Sequence, residues 1–377
     1  MWFLHADTFI GILLICFLML ILNRIRVLSV NVRLILLAVL SVVFVGWVSL
    51  KLLLFYLLYV SVIFCIARVL QRMKRARRIV FIAGVLLCIL PLLYVRLWPY
   101  RQIEVIIGLA FALLRGIDSL FYVYYTEEKL QPMTFINYMM FIPTFTAGPL
   151  FRYRDFLKAT RELLTVSIVD FVEATKRIIR GLFKTIVLGQ VIMQVFWHFI
   201  ETDSYTLPVS ILLVVCSYLN LYFNLSGYAD IAIGLGMLCG FIVPENFKKP
   251  WFSASFTMFW RSWHATVSDW IREHVQLVLH SKKMTKAKAA LTSMVVMTTM
   301  SMWHGFSVQF LMLSLFPGAL LAIENLFKLT SPKRKWTAVR VLRCLAVSFL
   351  FGINSLLFTI EVGNVAEIML GFFRIAA

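Results

Sequence analysis

Apolar residues run in long blocks along this chain, and short polar or basic segments separate the blocks. Crossing a bilayer as a helix takes about 20 mostly apolar residues. Blocks near that length cover 2–22, 34–50, 52–67, 79–98, 103–125, 182–200, 207–225, 228–243, 289–303, 306–327 and 338–360. This spacing predicts about 11 transmembrane helices, the shorter ones tilted, broken or re-entrant. The block through Leu22 has no basic region before it and no small-residue cleavage site after it. It reads as a retained first helix and not as a secretory signal.

Two segments break the pattern. Residues 152–184 carry Arg152, Arg154, Lys158, Arg161, Lys176, Arg177, Arg180 and Lys184 among apolar residues at helical spacing. That predicts a pair of amphipathic helices at the cytosolic surface. Residues 251–280 mix Trp251, Trp260, Trp263 and Trp270 with Arg261, Asp269, Arg272 and Glu273. Such a stretch is too polar to face lipid and too aromatic for a free loop, so protein or a wet cavity must surround it. The expected fold is therefore all-α: a polytopic integral membrane protein, one domain over 1–377, with amphipathic and re-entrant helices around a central cavity.

Composition agrees. Hydrophobic residues make up 61% of the 377 and charged residues 15%, against about 45–50% and 25% in soluble domains. The six cysteines lie in apolar stretches without paired spacing, as small core hydrophobes do, and imply neither a disulfide framework nor a zinc site. The formal charge of +19 does not point to nucleic acid. It collects in short segments: Arg68, Arg72, Lys74, Arg75, Arg77 and Arg78; then Lys282, Lys283, Lys286 and Lys288; then Lys333, Arg334 and Lys335. Basic loops between apolar spans are what the positive-inside rule produces. With Arg24, Arg26 and Arg33 also cytosolic, counting spans puts the N-terminus outside. The same basic face would suit an acidic cytosolic partner.

Against this apolar ground a few polar groups stand out. Arg115 and Asp118, three apart on a helix, are expected to neutralise each other, and Glu324 to cap a helix end. Asn224, Ser226, Tyr228 and Asp230 each need a partner at bilayer depth, while the nearby Gly227, Gly234 and Gly236 suit close helix packing. Pro244 and Pro250 bracket Asn246 in a rigid charged turn. His264 and Asp269 stand five apart, a spacing that puts side chains about 140° apart on one helix, so a His–Asp dyad there requires a break. No two histidines stand at i,i+3 or i,i+4, and no metal site is expected. His304, in Met302-Trp303-His304-Gly305, is an imidazole in a region whose one charged residue is Glu324. A histidine at that depth is a functional position by default, and its ordinary range suits it to taking a proton from a hydroxyl.

The stretch from Ser226 to Val275, followed by Met300-Ser301-Met302-Trp303-His304-Gly305-Phe306, resembles the signature half of the membrane-bound O-acyltransferase family, spanning about residues 132–325. The likeness is to the bacterial branch holding the teichoic-acid D-alanyl transfer protein and the alginate O-acetyltransferase. Residues 141–156 and 89–100 resemble further segments of that branch. The resemblance places the family's invariant histidine on His304 and its second polar position on His264. It implies an O-acyltransferase in the bacterial cytoplasmic membrane, with no bound cofactor, taking a D-alanyl or acetyl group from a cytosolic thioester. The donor is the phosphopantetheine of an acidic carrier protein or acetyl-CoA, and the acceptor hydroxyl belongs to an extracytoplasmic or membrane-anchored partner in the envelope polymer pathway. His304 is then the general base, kept dry by Trp303, and His264 steadies the donor carbonyl or the oxyanion. Candidate substrate contacts are Trp303, Arg261, Asn246, Asp230, Tyr228, Ser226, Arg152 and Arg154, with lipid headgroups an equal explanation for the last two. Where relatives carry Tyr-His after the histidine hairpin, this chain has Phe316-Pro317. The alternative to an enzyme is a transporter, flippase or scaffold subunit for polysaccharide export.

Overall fold

The computed structural model describes residues 5–24, 28–73, 75–97, 107–162, 166–279, 285–302, 304–330 and 337–374. Trp303, Arg26, Lys74, Lys282, Lys283, Lys333, Arg334 and Lys335 lie outside the described residues, as do residues 98–106. Everything described is helix, turn or irregular chain. Two compact units divide the chain, Met1–Ile179 with Asp230–Pro244, and Arg180–Ala229 with Glu245–Ala377.

The first unit opens with α1 (Ala6–Arg24), α2 (Val30–Val48), α3 (Leu50–Arg72), α4 (Arg77–Leu97) and α5 (Leu109–Thr126). Ser29 and Ser49 cap α2 and α3, each accepting a first-turn N–H, the usual work of serine at a helix start. The basic residues expected in one loop near 68–78 are mostly helical, Arg68 and Arg72 closing α3 and Arg77 and Arg78 opening α4. Arg77 donates to the last carbonyls of α5, Val123 at 3.1 Å and Tyr124 at 2.7 Å, where a cation meets the negative end of the helix.

Helix α5 is apolar on every face and almost wholly buried, as a central helix must be. Its Arg115 and Asp118 reach beyond one another. The Arg115 guanidinium donates to the carbonyls of Met139 (3.1 Å) and Thr144 (2.5 Å) and to Thr144 Oγ1 (2.7 Å). Asp118 Oδ2 accepts from the Tyr138 hydroxyl (3.1 Å) and the Tyr153 N–H (2.6 Å). Together they lash α6 (Pro132–Met139), the connecting segment and α7 (Tyr153–Arg161) to the core.

Helix α8 (Ile168–Leu182), a π-helical turn (Phe183–Leu188) and α9 (Gly189–Glu201) follow without a break. The second of the expected surface helices thus continues into the expected 182–200 span as one rod of 34 residues. Helix α10 (Leu207–Leu238) merges two more expected spans into 32 residues. The polar stretch between them stays helical because its small residues lie against neighbours: a Cβ on Gly227 would stand 2.2 Å from Thr185 Oγ1 and 2.8 Å from the Gly181 carbonyl.

The second unit adds α11 (Phe256–Trp260), α12 (Ala265–Leu279), α13 (Lys286–Met302), α14 (Val308–Phe327), α15 (Ala338–Leu356) and α16 (Val362–Gly371). Helices α13 and α14 form a hairpin, tied by Asn325 Nδ2 donating to Ser293 Oγ at 2.9 Å. Leu213, Val214, Phe196, Leu356 and Ile368 build one core of this unit. Among the described residues, eight helices are long and apolar enough to cross a membrane. Helix α13, at 17 residues, falls just short of that length, and α5 spends part of its length on the buried Arg115 and Asp118.

Candidate functional site

The polar aromatic stretch buries Trp263 and Trp270, and it carries a helix break just before Ala265, the kind of break a His264–Asp269 dyad would require. Helix α11 ends at Trp260, α12 begins at Ala265, and His264 sits in the turn between them with φ 45°. That is the left-handed region, sparsely occupied by residues with a Cβ. Trp263 is buried beside it, stacked on Phe259 at 5.4 Å and packed on Phe351 at 4.6 Å. Tyr218 and Trp251 extend the aromatic wall.

His264 is half-buried, and its Nδ1 is enclosed with no hydrogen-bond partner among the described residues. Burial disfavours the charged ring and pulls its pKa down from 6.5 to about 4. Asp269 does not serve it; its carboxylate accepts from Arg272 Nη2 at 2.7 Å. Asn246 lies close by in the chain path: its carbonyl accepts from the Ala265 N–H, and its Oδ1 from Thr266. The sequence singled out Asn246 but not Thr266. The clue available was that a helix starting at Ala265 has no capping side chain of its own at 264.

A cavity of about 220 Å³ lies beside α11 and α12, with polar groups of Thr257, Arg261, Asp269, Arg272, Ser293 and Asn325 set in a mostly apolar lining that includes Val296, Met297, Met300 and Leu321. Neither His264 nor His304 is among its lining residues. Arg261 is exposed, and Trp260 Nε1 is enclosed with no hydrogen-bond partner among the described residues. Glu324 is buried on α14. Its carboxylate accepts from the N–H groups of Phe256 (2.6 Å) and Thr257 (2.9 Å) and from Thr257 Oγ1 (2.8 Å), so it caps α11, the helix-end role expected of it.

His304 stands in the turn of the α13–α14 hairpin. Its N–H donates to the Ser301 carbonyl at 3.0 Å, closing α13. Its half-buried ring lies parallel to Phe310 at 6.4 Å and edge-on to Phe358 at 5.7 Å. Gly305 is needed there, since a Cβ would come within 2.3 Å of the Phe310 ring. Gln309 Nε2 donates to the carbonyls of Leu357 and Ile360, which fixes the segment bearing Phe358.

The remaining candidates sit on other elements. Ser226 and Tyr228 are buried on α10, the Ser226 hydroxyl without a hydrogen-bond partner among the described residues. Asp230, buried in the first unit, is ion-paired with Arg177 at 3.0 Å. Arg152 is half-buried at the start of α7, and Arg154 is exposed and pairs with Asp155 at 3.5 Å. Trp303 lies outside the described residues. No group of three His, Cys, Asp or Glu side chains able to hold a metal ion occurs among the described residues.

Over 236 residues, 62% of its length, the chain is 29% identical to a probable alginate O-acetylase of Pseudomonas fluorescens, covering 48% of that protein. Over 287 residues, 70% of the chain, it is 25% identical to the teichoic acid D-alanyltransferase of Bacillus subtilis, covering 73% of it. Over 123 residues, 33% of the chain, it is 28% identical to a peptidoglycan O-acetyltransferase of Helicobacter pylori, covering 23%. The chain spans about half the length of the alginate acetylases it matches. The model of one family matches residues 30–358, and the chain belongs to that family, the membrane-bound O-acyltransferases.

Proposed function

We propose that this protein transfers a D-alanyl or acetyl group from a cytosolic thioester to a hydroxyl in the envelope polymer pathway, with His304 as general base. The acceptor oxygen attacks the thioester carbonyl while the imidazole takes its proton; the C–S bond then breaks and the thiolate leaves. A neutral imidazole is the form this chemistry needs, and general-base assistance is worth about 10²–10⁴-fold.

His264 supports the reading best. It is an imidazole with an enclosed Nδ1, held neutral by burial and set in a left-handed turn beside a buried aromatic wall. On this reading it faces the donor carbonyl or the developing oxyanion. The cavity beside α11 and α12 suits a pantetheine arm, because Thr257, Ser293 and Asn325 offer partners for its amides and the exposed Arg261 a partner for its phosphate. The names of the D-alanyl- and acetyltransferase relatives fit either acyl group.

Mass spectrometry of envelope polymer from cells with the gene, without it, and with His304→Ala tests the reading. The mass added names the acyl group. The His304→Ala strain, at normal protein level, is expected to match the deletion. Ester content that persists there sinks the enzyme and favours a flippase or scaffold.

A further inference from the structure

The sequence leaves the N-cap of α12 to a histidine. That position normally falls to Ser, Thr, Asp or Asn, whose side-chain oxygen takes a first-turn N–H. His264 does accept the first backbone bond of the helix, from the Ser268 N–H to its carbonyl at 3.0 Å, but its Nδ1 caps nothing. The first-turn donors go elsewhere. Thr266 N–H and Thr266 Oγ1–H both donate to Asn246 Oδ1, at 3.2 Å and 2.8 Å. Ala265 N–H donates to the Asn246 carbonyl at 2.9 Å, and Lys248 N–H to the Ser262 carbonyl at 2.8 Å. Asn246 is 2% exposed.

These bonds bracket His264 on both sides. They hold the chain at 262 and again at 265–266, and the left-handed turn at 264 lies between the clamps. Strain of this kind persists only where the surroundings over-determine it. Phe247, between the two clamping residues, sets its ring edge-on to Trp263 at 5.2 Å and 6.4 Å from the His264 ring.

We propose that Asn246 is the positioning residue of this site: it caps α12 from a separate segment, and so frees the N-cap position to carry an imidazole aimed at substrate. The proposal rests on the reading of His264 given above. It assigns Asn246 to holding His264 in place and not to contacting substrate.

The full-length protein tests this with Asn246→Ala and Asn246→Asp, each alone and in a His264→Asp background where residue 264 can cap its own helix. Thermal midpoints are measured in detergent, and envelope ester content is measured in cells at equal protein level. Asn246→Ala alone is expected to lower the midpoint by about 2–4 °C and ester content at least about tenfold. Asn246→Asp keeps the acceptor oxygen and is expected to restore most of both. In the His264→Asp background, Asn246→Ala is expected to leave the midpoint nearly unchanged. An equal midpoint loss in both backgrounds, or full ester content in Asn246→Ala cells, overturns the proposal. Full ester content in His264→Ala cells removes the role of His264 itself, and with it the proposal. That failure is told apart from a failed cap because the midpoints report the cap whatever His264 does in catalysis.

Discussion

At the residue scale, two side chains make opposite uses of burial. His264 is held near pKa 4 against an ordinary 6.5. Its depressed value means the unfolded chain binds more protons between these limits, so its contribution to stability is present above about pH 6.5 and is lost as pH falls toward 4. Replacing it with Gln is expected to flatten the decline of the thermal midpoint across that window, and an unchanged pH profile would show that the ring is not desolvated. Glu324 instead keeps its charge satisfied by three donors on α11. Glu324→Ala leaves the Phe256 and Thr257 N–H groups without their acceptor, and is expected to cost about 2 kcal/mol. Glu324→Gln, which retains an acceptor oxygen, should lose less in the same denaturation measurement.

At the element scale, close approach decides what a helix can carry. Gly227 of α10 has Thr185 Oγ1 and the Gly181 carbonyl where a Cβ would go, whereas Gly363 of α16 has nothing within 4 Å. Gly227→Ala is expected to destabilise by about 1–3 kcal/mol. Gly363→Ala should be neutral or gain up to about 1 kcal/mol from helix propensity. Similar gains from both would mean that propensity, and not packing, governs these positions. Small residues at helix contacts were legible in the sequence as a type. The continuity of α10 was not, because Asn224 to Asp230 look like a break until the surfaces against them are known. The same limit applied at the histidines. His304 was placed in a hairpin turn from the spacing of apolar blocks alone, and the break between α11 and α12 was required before any His–Asp pairing could be entertained. The Asn246–Thr266 bond, between residues 20 apart, has no periodicity to announce it.

At the scale of the whole molecule, the apolar blocks were enough to identify a multi-pass helical protein, and charge was enough to suggest its orientation. They divided one helix into two spans, since Leu207–Leu238 runs unbroken through both, and they ended a surface helix where Ile168–Glu201 continues into the next expected span. The orientation has a direct check. A cysteine replacing Arg75, between α3 and α4, in a chain stripped of its own cysteines should resist an impermeant maleimide in intact cells and react after permeabilisation. Labelling of intact cells would reverse the topology.

The wide turn at Phe183–Leu188 bears on how this architecture can change over time. An α-helix advances about 100° per residue, and a π turn, closing i→i+5, takes a smaller angular step per residue than that. The side chains after Leu188 therefore point in directions that the spacing before Phe183 does not forecast. A lineage that lost one residue here would keep a straight rod but swing the whole of α9 to present a different stripe to its neighbours. The wide turn thus acts as an angular offset stored in the chain, and it sets which flank of that long helix is available for packing.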